Sequence, residues 1–245
     1  MKSPLIFLRF AFVLPALFSA NAARADDSVR VGVVVEVTAA GKKIDRPAPG
    51  KPAYYEPVIL GYREMGGVLV FWQRPPPPPA DVKRALLQAF ATQGYLVAPA
   101  QAPASIVLAC RWGIVDPESQ PVFDAGDQAI DKIEPVNESE LLAIVVGQRW
   151  YDIFPTDDPN ARELVAGLHD KEASRYFLII SALDAQAFAN HQQVLLWRAH
   201  VTTQYWGHYL DQVLGTMIRE SAPFLGKKTT RPQIITSSAS PLLLK

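Results

Sequence analysis

Hydrophobic positions along this chain change period several times, and each change marks an element. Over residues 29–37, Val31, Val33, Val35 and Val37 share one side, while Arg30, Gly32 and Glu36 share the other. Strict alternation of β-branched residues predicts a strand. Gly41, Pro47, Pro49, Gly50 and Pro52 mark a loop over residues 38–52, because these residues favour turns over ladders. Residues 54–62 read as a second extended segment, which Pro57 confines to an edge or a bulge. Gly66-Gly67 reads as a turn, and residues 68–72 as a short third strand.

Five consecutive prolines, Pro75 to Pro79, favour an extended polyproline II conformation. Such a run serves either as a docking ligand for an aromatic groove or as a stiff spacer. The spacer reading fits better here, since a helix follows at once. That helix spans residues 80–93, with Val82, Ala85, Leu86, Ala89 and Phe90 on one stripe. Asp81 suits the positive end of its dipole, and Gly94 supplies the left-handed stop. Residues 95–97 and 104–115 follow as strand material. Residues 116–137 are polar and turn-rich, and their carboxylates (Asp124, Asp127, Asp131, Glu134) do not fit a calcium loop, so a solvated acidic face is expected. Helices are predicted over 138–147, against the β-branched run Ile144-Val145-Val146, and over 159–169, where Pro159 can begin the first turn.

The C-terminal third is the most regular. Residues 175–184 form a strongly apolar strand, and 194–204 its hairpin partner. In the partner, Leu195, Trp197, Ala199 and Val201 face one way, and Arg198, His200, Thr202 and Gln204 the other. One packed and one wet face is the signature of an antiparallel sheet. A last helix is predicted over 209–221, with Leu210, Val213, Leu214, Met217 and Ile218 on its stripe. The polar tail, 229–245, is expected to be loose.

Residues 1–25 supply an address. Lys2 and Arg9 precede or flank an apolar run of about ten residues interrupted by Pro15, and Ala23 and Ala25 place small side chains at an A-x-A cleavage site. A spanning helix needs about 20 apolar residues. A cleaved signal peptide is therefore expected, with the cut after Ala25, or after Ala22 as the second choice. No Cys stands at the cut, which argues against a lipoprotein, and no twin arginine precedes it, which argues against the folded-protein export route. The expected location is periplasmic or secreted. Removing Lys2, Arg9 and Arg24 from a precursor of zero formal charge leaves the mature part near −3, a poor match to nucleic acid. Cys110 is the sole cysteine, so no internal disulfide exists. It reads as a small buried hydrophobe, with a reactive thiolate or an inter-chain disulfide as alternatives.

The segments Gly61-Tyr-Arg-Glu-Met-Gly-Gly67, Gln93-Gly-Tyr-Leu-Val-Ala98, Arg111-Trp-Gly113, Arg175-Tyr-Phe-Leu-Ile-Ile-Ser-Ala182, Leu195-Leu-Trp-Arg-Ala199 and Ser221-Ala-Pro-Phe-Leu-Gly226 resemble those of exported bacterial proteins of unknown function. More loosely, their order is similar to a domain of unknown function in bacterial envelope lipoproteins. The chain departs from that pattern by lacking the lipid-bearing Cys and by carrying an insertion over 116–170. The resemblance implies an envelope setting and transfers no catalytic residue.

Chemistry-bearing motifs are missing: no G-x-S-x-G elbow, S-x-x-K, phosphate loop or G-x-G-x-x-G occurs. His169 ends its predicted helix, where a partly cationic ring meets the carbonyl end favourably. His200 and His208, eight residues apart, are the best histidine pair for a metal-assisted enzyme. Among Trp72, Trp112, Trp150, Trp197 and Trp206, the strand residues Trp112 and Trp197 read as core, whereas Trp206 is the best exposed contact. The expected fold is α+β: a mostly antiparallel sheet of about five strands with two main amphipathic helices packed on one face. The expected organisation is a signal peptide (1–25), one α+β domain (26–228) and the tail. The expected function is a non-enzymatic module that binds an envelope protein or cell-wall component through Arg198, His200, Trp206 and His208, without a cofactor. A periplasmic hydrolase or metal-assisted enzyme using His200 and His208 is the alternative.

Overall fold

Val29, Val31, Val33 and Val35 are withdrawn from water because they share the face of β1 (Ser28–Val37) that the helices cover. The computed structural model describes residues 28–48, 50–66, 74–116, 174–204 and 207–242, with short pieces at 122–123, 129–131, 143–144, 147, 158–160 and 162. After β1 come β2 (Ala53–Gly66), α1 (Pro79–Thr92), β3 (Tyr95–Val97), β4 (Ile106–Asp116), β5 (Val122–Phe123), β6 (Ala129–Asp131), β7 (Arg175–Asp184), α2 (Ala185–Ala189), β8 (Leu195–Gln204), α3 (Leu210–Ser221) and β9 (Gln233–Ser238).

Seven strands form one sheet in the order β3-β2-β4-β7-β8-β1-β9, and β5 pairs with β6 in a small hairpin. β2 runs parallel to both β3 and β4, whereas β4–β7, β7–β8, β8–β1 and β1–β9 are antiparallel. The sheet is thus mixed and seven-stranded, which corrects the expected mostly antiparallel sheet of about five strands. α1 is the physical reason for the parallel pairs. A helix between two strands returns the chain to the same end of the sheet, so the second strand runs beside the first in the same sense. The predicted strand at 68–72 lies outside the described residues, as do the signal peptide, Trp72, Trp150 and His169. Of the helices predicted over 138–147 and 159–169, only helical residues 143–144, 159–160 and 162 are described.

Two described helices exceed seven residues, α1 and α3, and both contribute to the core above the sheet. α1 begins at Pro79, keeps Asp81 in its first turn and buries Val82, Leu86 and Phe90. Phe90 meets Tyr55 of β2 edge-to-face, with ring centroids 5.5 Å apart, the arrangement that aromatic quadrupoles favour. Gly94 follows with φ +80°, the left-handed stop. α3 buries Leu210, Val213, Leu214, Met217 and Ile218, and the Gln212 side chain accepts from the Tyr209 N–H at 2.8 Å to close its first turn. Among the described residues, no helix is long and apolar enough to cross a membrane.

Two further expectations change. The tail is not loose over 233–238: these residues form β9 against the outer edge of β1. Nor is the second sheet face wet, because His200 is 2 % exposed and Thr202 1 %. Val34, Val107, Val115 and Phe177 are buried on that same face. Ile144, in the insertion, reaches it through its backbone carbonyl. β7 signals this two-sided cover in its unbroken apolar run from Tyr176 to Ile180, the pattern of strands packed on both faces.

Candidate functional site

β4, β7 and β8 lie side by side, and their ladder places four polar side chains on the second face. Arg111 stands opposite Ile179, which stands opposite His200; Ala109 stands opposite Ser181, which stands opposite Arg198. The two arginines are therefore two strands apart and offset by two residues. Sheet spacing puts their Cα atoms about 12 Å from each other, a span that two extended arginine side chains can close between them. A cavity of about 270 Å³ opens here, lined by Leu60, Ala109, Arg111, Ala143, Ile144, Ile179, Ser181, Arg198 and His200.

Each wall has a sequence reason. β2 carries a bulge between Ile59 and Gly61, and Gly61 sits at φ +88°, a conformation that costs glycine little. Bulges re-aim side chains next to sites. Leu60, half exposed, is the residue displaced by this one, and it lines the cavity mouth. The floor comes from the alternation of β4 and β7, which turns Trp112 and Ile180 toward the helices and Arg111 and Ser181 away from them.

Arg198 Nε donates to Ser181 Oγ at 2.9 Å, which leans the guanidinium toward β7 and the cavity. Glu36 stands opposite Arg198 in the β1–β8 register. Arg111 is partly buried, and its side chain makes no hydrogen bond or ion pair among the described residues. His200 is bound through Nδ1 to the Ile144 carbonyl at 2.9 Å. A carbonyl only accepts, so Nδ1 carries the proton and Nε2 holds the lone pair. Burial pushes the His200 ring down to about pH 4; the Ile144 carbonyl opposes this, and the Arg198 charge adds to it. The ring is neutral at pH 7. Its Nε2 is buried and has no hydrogen-bond partner among the described residues, and neither has Thr202 Oγ1, two residues along the same strand.

The predicted site residues are only partly brought together. Arg198 and His200 share the cavity, but as wall and floor rather than as an exposed patch. Trp206 lies outside the described residues. His208 sits before α3, where its carbonyl accepts from the Tyr176 hydroxyl at 3.2 Å. Tyr176 belongs to the helix-side core, so the His200–His208 metal pair has no common site. Among the described residues, no group of three His, Cys, Asp or Glu side chains could hold a metal ion. Arg111 and Ser181 escaped sequence reasoning. The available signal was an arginine and a serine, each on the face of an apolar strand opposite its core residues.

Two other cavities differ in character. One of about 270 Å³ lies between α1 and α3 and is lined also by the chain's own Ser240, Pro241 and Leu242. Another, of about 190 Å³, adjoins Tyr95 and Trp197, whose rings lie 5.9 Å apart. Burial raises the Tyr95 hydroxyl to about 12, against the opposing effects of Arg46 and a hydrogen bond from Trp197. Cys110 is buried in the helix-side core, and burial pushes its thiol up to about 12, which leaves the small-hydrophobe reading.

No protein family matches this sequence, and no curated protein does. Among solved structures the chain is similar to the PelC dodecamer of Paraburkholderia phytofirmans, at 12 % identity over 80 % of this chain and 99 % of that one, with a TM-score of 0.35. It is also similar to a PDZ domain protein of Parabacteroides distasonis, at 11 % identity over 85 % of this chain and 39 % of that one, with a TM-score of 0.39. Likenesses at these scores carry neither a fold assignment nor a function.

Proposed function

We propose that the chain is a non-enzymatic binding module, exported by its residues 1–25 to the periplasm or beyond, and that it holds an acidic group of an envelope component in the second-face cavity. The observation that carries this reading is the placement of Arg111 and Arg198 around one small cavity, with Arg111 free of any partner among the described residues. A partly buried guanidinium without a counter-ion is costly unless something completes it. An incoming anion supplies two charge-assisted hydrogen bonds per guanidinium at little geometric cost. The export signal and the resemblance to exported proteins support the envelope setting.

The test is a titration of the mature protein with acetate, phosphate and sulfate, followed by the NMR signals of the arginine Nε–H groups. The Arg111 and Arg198 signals should move together and saturate, and Arg111→Ala should abolish the effect while leaving the near-UV spectrum intact. Signals that ignore every anion, or an alanine variant that binds as well as the parent, would remove the site.

A further inference from the structure

We propose that one end of the sheet docks on the surface of an anionic phospholipid bilayer, where the protein sits peripherally. This is a second site, separate from the second-face cavity.

The strand registers define that end. Val37 of β1, Trp197 of β8, Ala182 of β7, Leu108 of β4 and Pro57 of β2 lie in one row. Beyond this row β1 and β7 finish, and β8, β4 and β2 begin. The β1–β2 connection, the 98–105 loop and the α2 turn therefore all stand at this end. β3 lies wholly here, because Tyr95–Val97 pairs with Ala53–Tyr55. Three strands separate β3 from β8, yet the rings of Tyr95 and Trp197 are 5.9 Å apart. The sheet thus curls and draws this end together. Gly226 packs against the Tyr95 hydroxyl and the Trp197 indole, which brings Lys227 and Lys228 to the same place.

Two properties coincide there. The first is exposed apolar surface. Seven large apolar side chains are exposed among the described residues, and five of them stand at this end: Ile44, Leu96, Val97, Phe188 and Val194. They come from four separate segments. A fluid apolar phase receives each of them independently, whereas a rigid partner would have to match all four.

The second property is charge. The whole chain is neutral, with 24 Lys and Arg against 24 Asp and Glu. The segments 38–52, 98–105, 185–194 and 226–228 carry Lys42, Lys43, Arg46, Lys51, Lys227 and Lys228 against Asp45 alone. Asp45 is already held by Lys51 at 2.6 Å. The side chains of Lys42, Lys43, Arg46, Lys227 and Lys228 are exposed, and none makes a hydrogen bond or ion pair among the described residues.

Exposed lysines are ordinarily just solvated. Interleaved with apolar tips they fit a bilayer surface, which offers anionic headgroups to the cations and an acyl boundary to the tips. Ile44 directly follows Lys42 and Lys43, so one turn presents both. A lysine stem lets the ammonium stay among headgroups while its apolar neighbour goes deeper. A soluble acidic polymer would engage the cations and leave the five apolar side chains in water. Single-stranded nucleic acid would call for several exposed aromatic rings, and Phe188 is the sole one among those five.

The test is co-sedimentation of the mature protein with vesicles of phosphatidylcholine, alone or with about a quarter phosphatidylglycerol. Binding should require the anionic lipid and fall roughly tenfold between about 0.1 M and about 0.5 M salt. Lys42→Ala together with Lys43→Ala should weaken it about tenfold. Lys83→Ala, an exposed lysine near the far end of α1, should leave it unchanged. Ile44→Ser and Phe188→Ser keep the charge, and each should weaken binding roughly threefold or more. All these positions are exposed, and an unchanged melting temperature shows that each variant folds. Failure to sediment with either vesicle, or equal binding to both, overturns the proposal. Loss of binding with the lysines but not with Ile44 or Phe188 makes this end a site for a soluble acidic polymer and overturns the bilayer as its partner. None of these readings involves Arg111 or Arg198, so they stand or fall apart from the anion pocket.

Discussion

Val35 and Thr229 hold each other across 194 positions of sequence. The Val35 N–H donates to Thr229 Oγ1 at 2.9 Å, and the Thr229 N–H donates to the Val35 carbonyl at 3.1 Å. β9 stops pairing with β1 at Val33, so Thr229 completes the outer edge where the ladder ends. Thr229→Val keeps the shape and strands a buried N–H. Denaturant unfolding should show a loss of about 1–3 kcal/mol, while Thr229→Ser, which keeps the hydroxyl, should recover most of it. Equal stability of the valine variant and the parent would show that water takes over the bond.

Deleting residues 229–245 should expose the β1 edge and its row of valines. Unpaired apolar edges seek other chains. The shortened protein should therefore lose its sharp thermal transition and grow in size by light scattering. A truncated chain that stays monomeric and melts like the parent would make β9 dispensable.

Acid should destabilise the protein through His200. Its ring titrates near 6.5 when unfolded and near 4 when folded. Between those values the unfolded chain binds more protons, so stability rises with pH there. The contribution is complete above about pH 6.5 and is lost as pH falls toward 4, at a cost of a few kcal/mol. His200→Gln should flatten this acid limb of stability against pH. A variant with an unchanged slope would place the acid sensitivity elsewhere.

The helix layer offers an internal comparison. Phe90 of α1 is 1 % exposed, and Phe188 of α2 is 39 % exposed. Phe90→Ala should cost about 3–5 kcal/mol, the range for a large core aromatic, and Phe188→Ala less than about 1 kcal/mol. Equal melting temperatures for the two variants would contradict the packing of α1 on Tyr55.

Local periodicity revealed most elements. β1, β7, β8, α1 and α3 were each legible, because a buried face repeats at the period of its backbone. Pairing partners were not. Nothing local in residues 53–66 says that their neighbour runs parallel, since that depends on where α1 returns the chain. β9 was missed because Gln233–Ser238 is short and half polar, as an edge strand open to water on one side can be. Arg198 and His200 were legible as a polar alternation, and the inference that they were wet was wrong. Alternation reports polarity, and the insertion that meets this face through Ile144 lies far away in sequence. Arg111 stayed hidden for a related reason: its partners in the cavity come from strands 70 to 87 positions downstream in the chain, Ser181 and Arg198.

The place of β1 in the sheet sets a timetable. Its two neighbours are β8 and β9, so the first strand to leave the ribosome has no native partner until the chain is nearly finished. Closing such distant pairs is slow, and domains otherwise tend to fold as they emerge. β1 instead stays unpaired through most of the synthesis of the chain. A translocase that threads extended polypeptide would meet its N-terminal strand before any native hydrogen bond had formed on it.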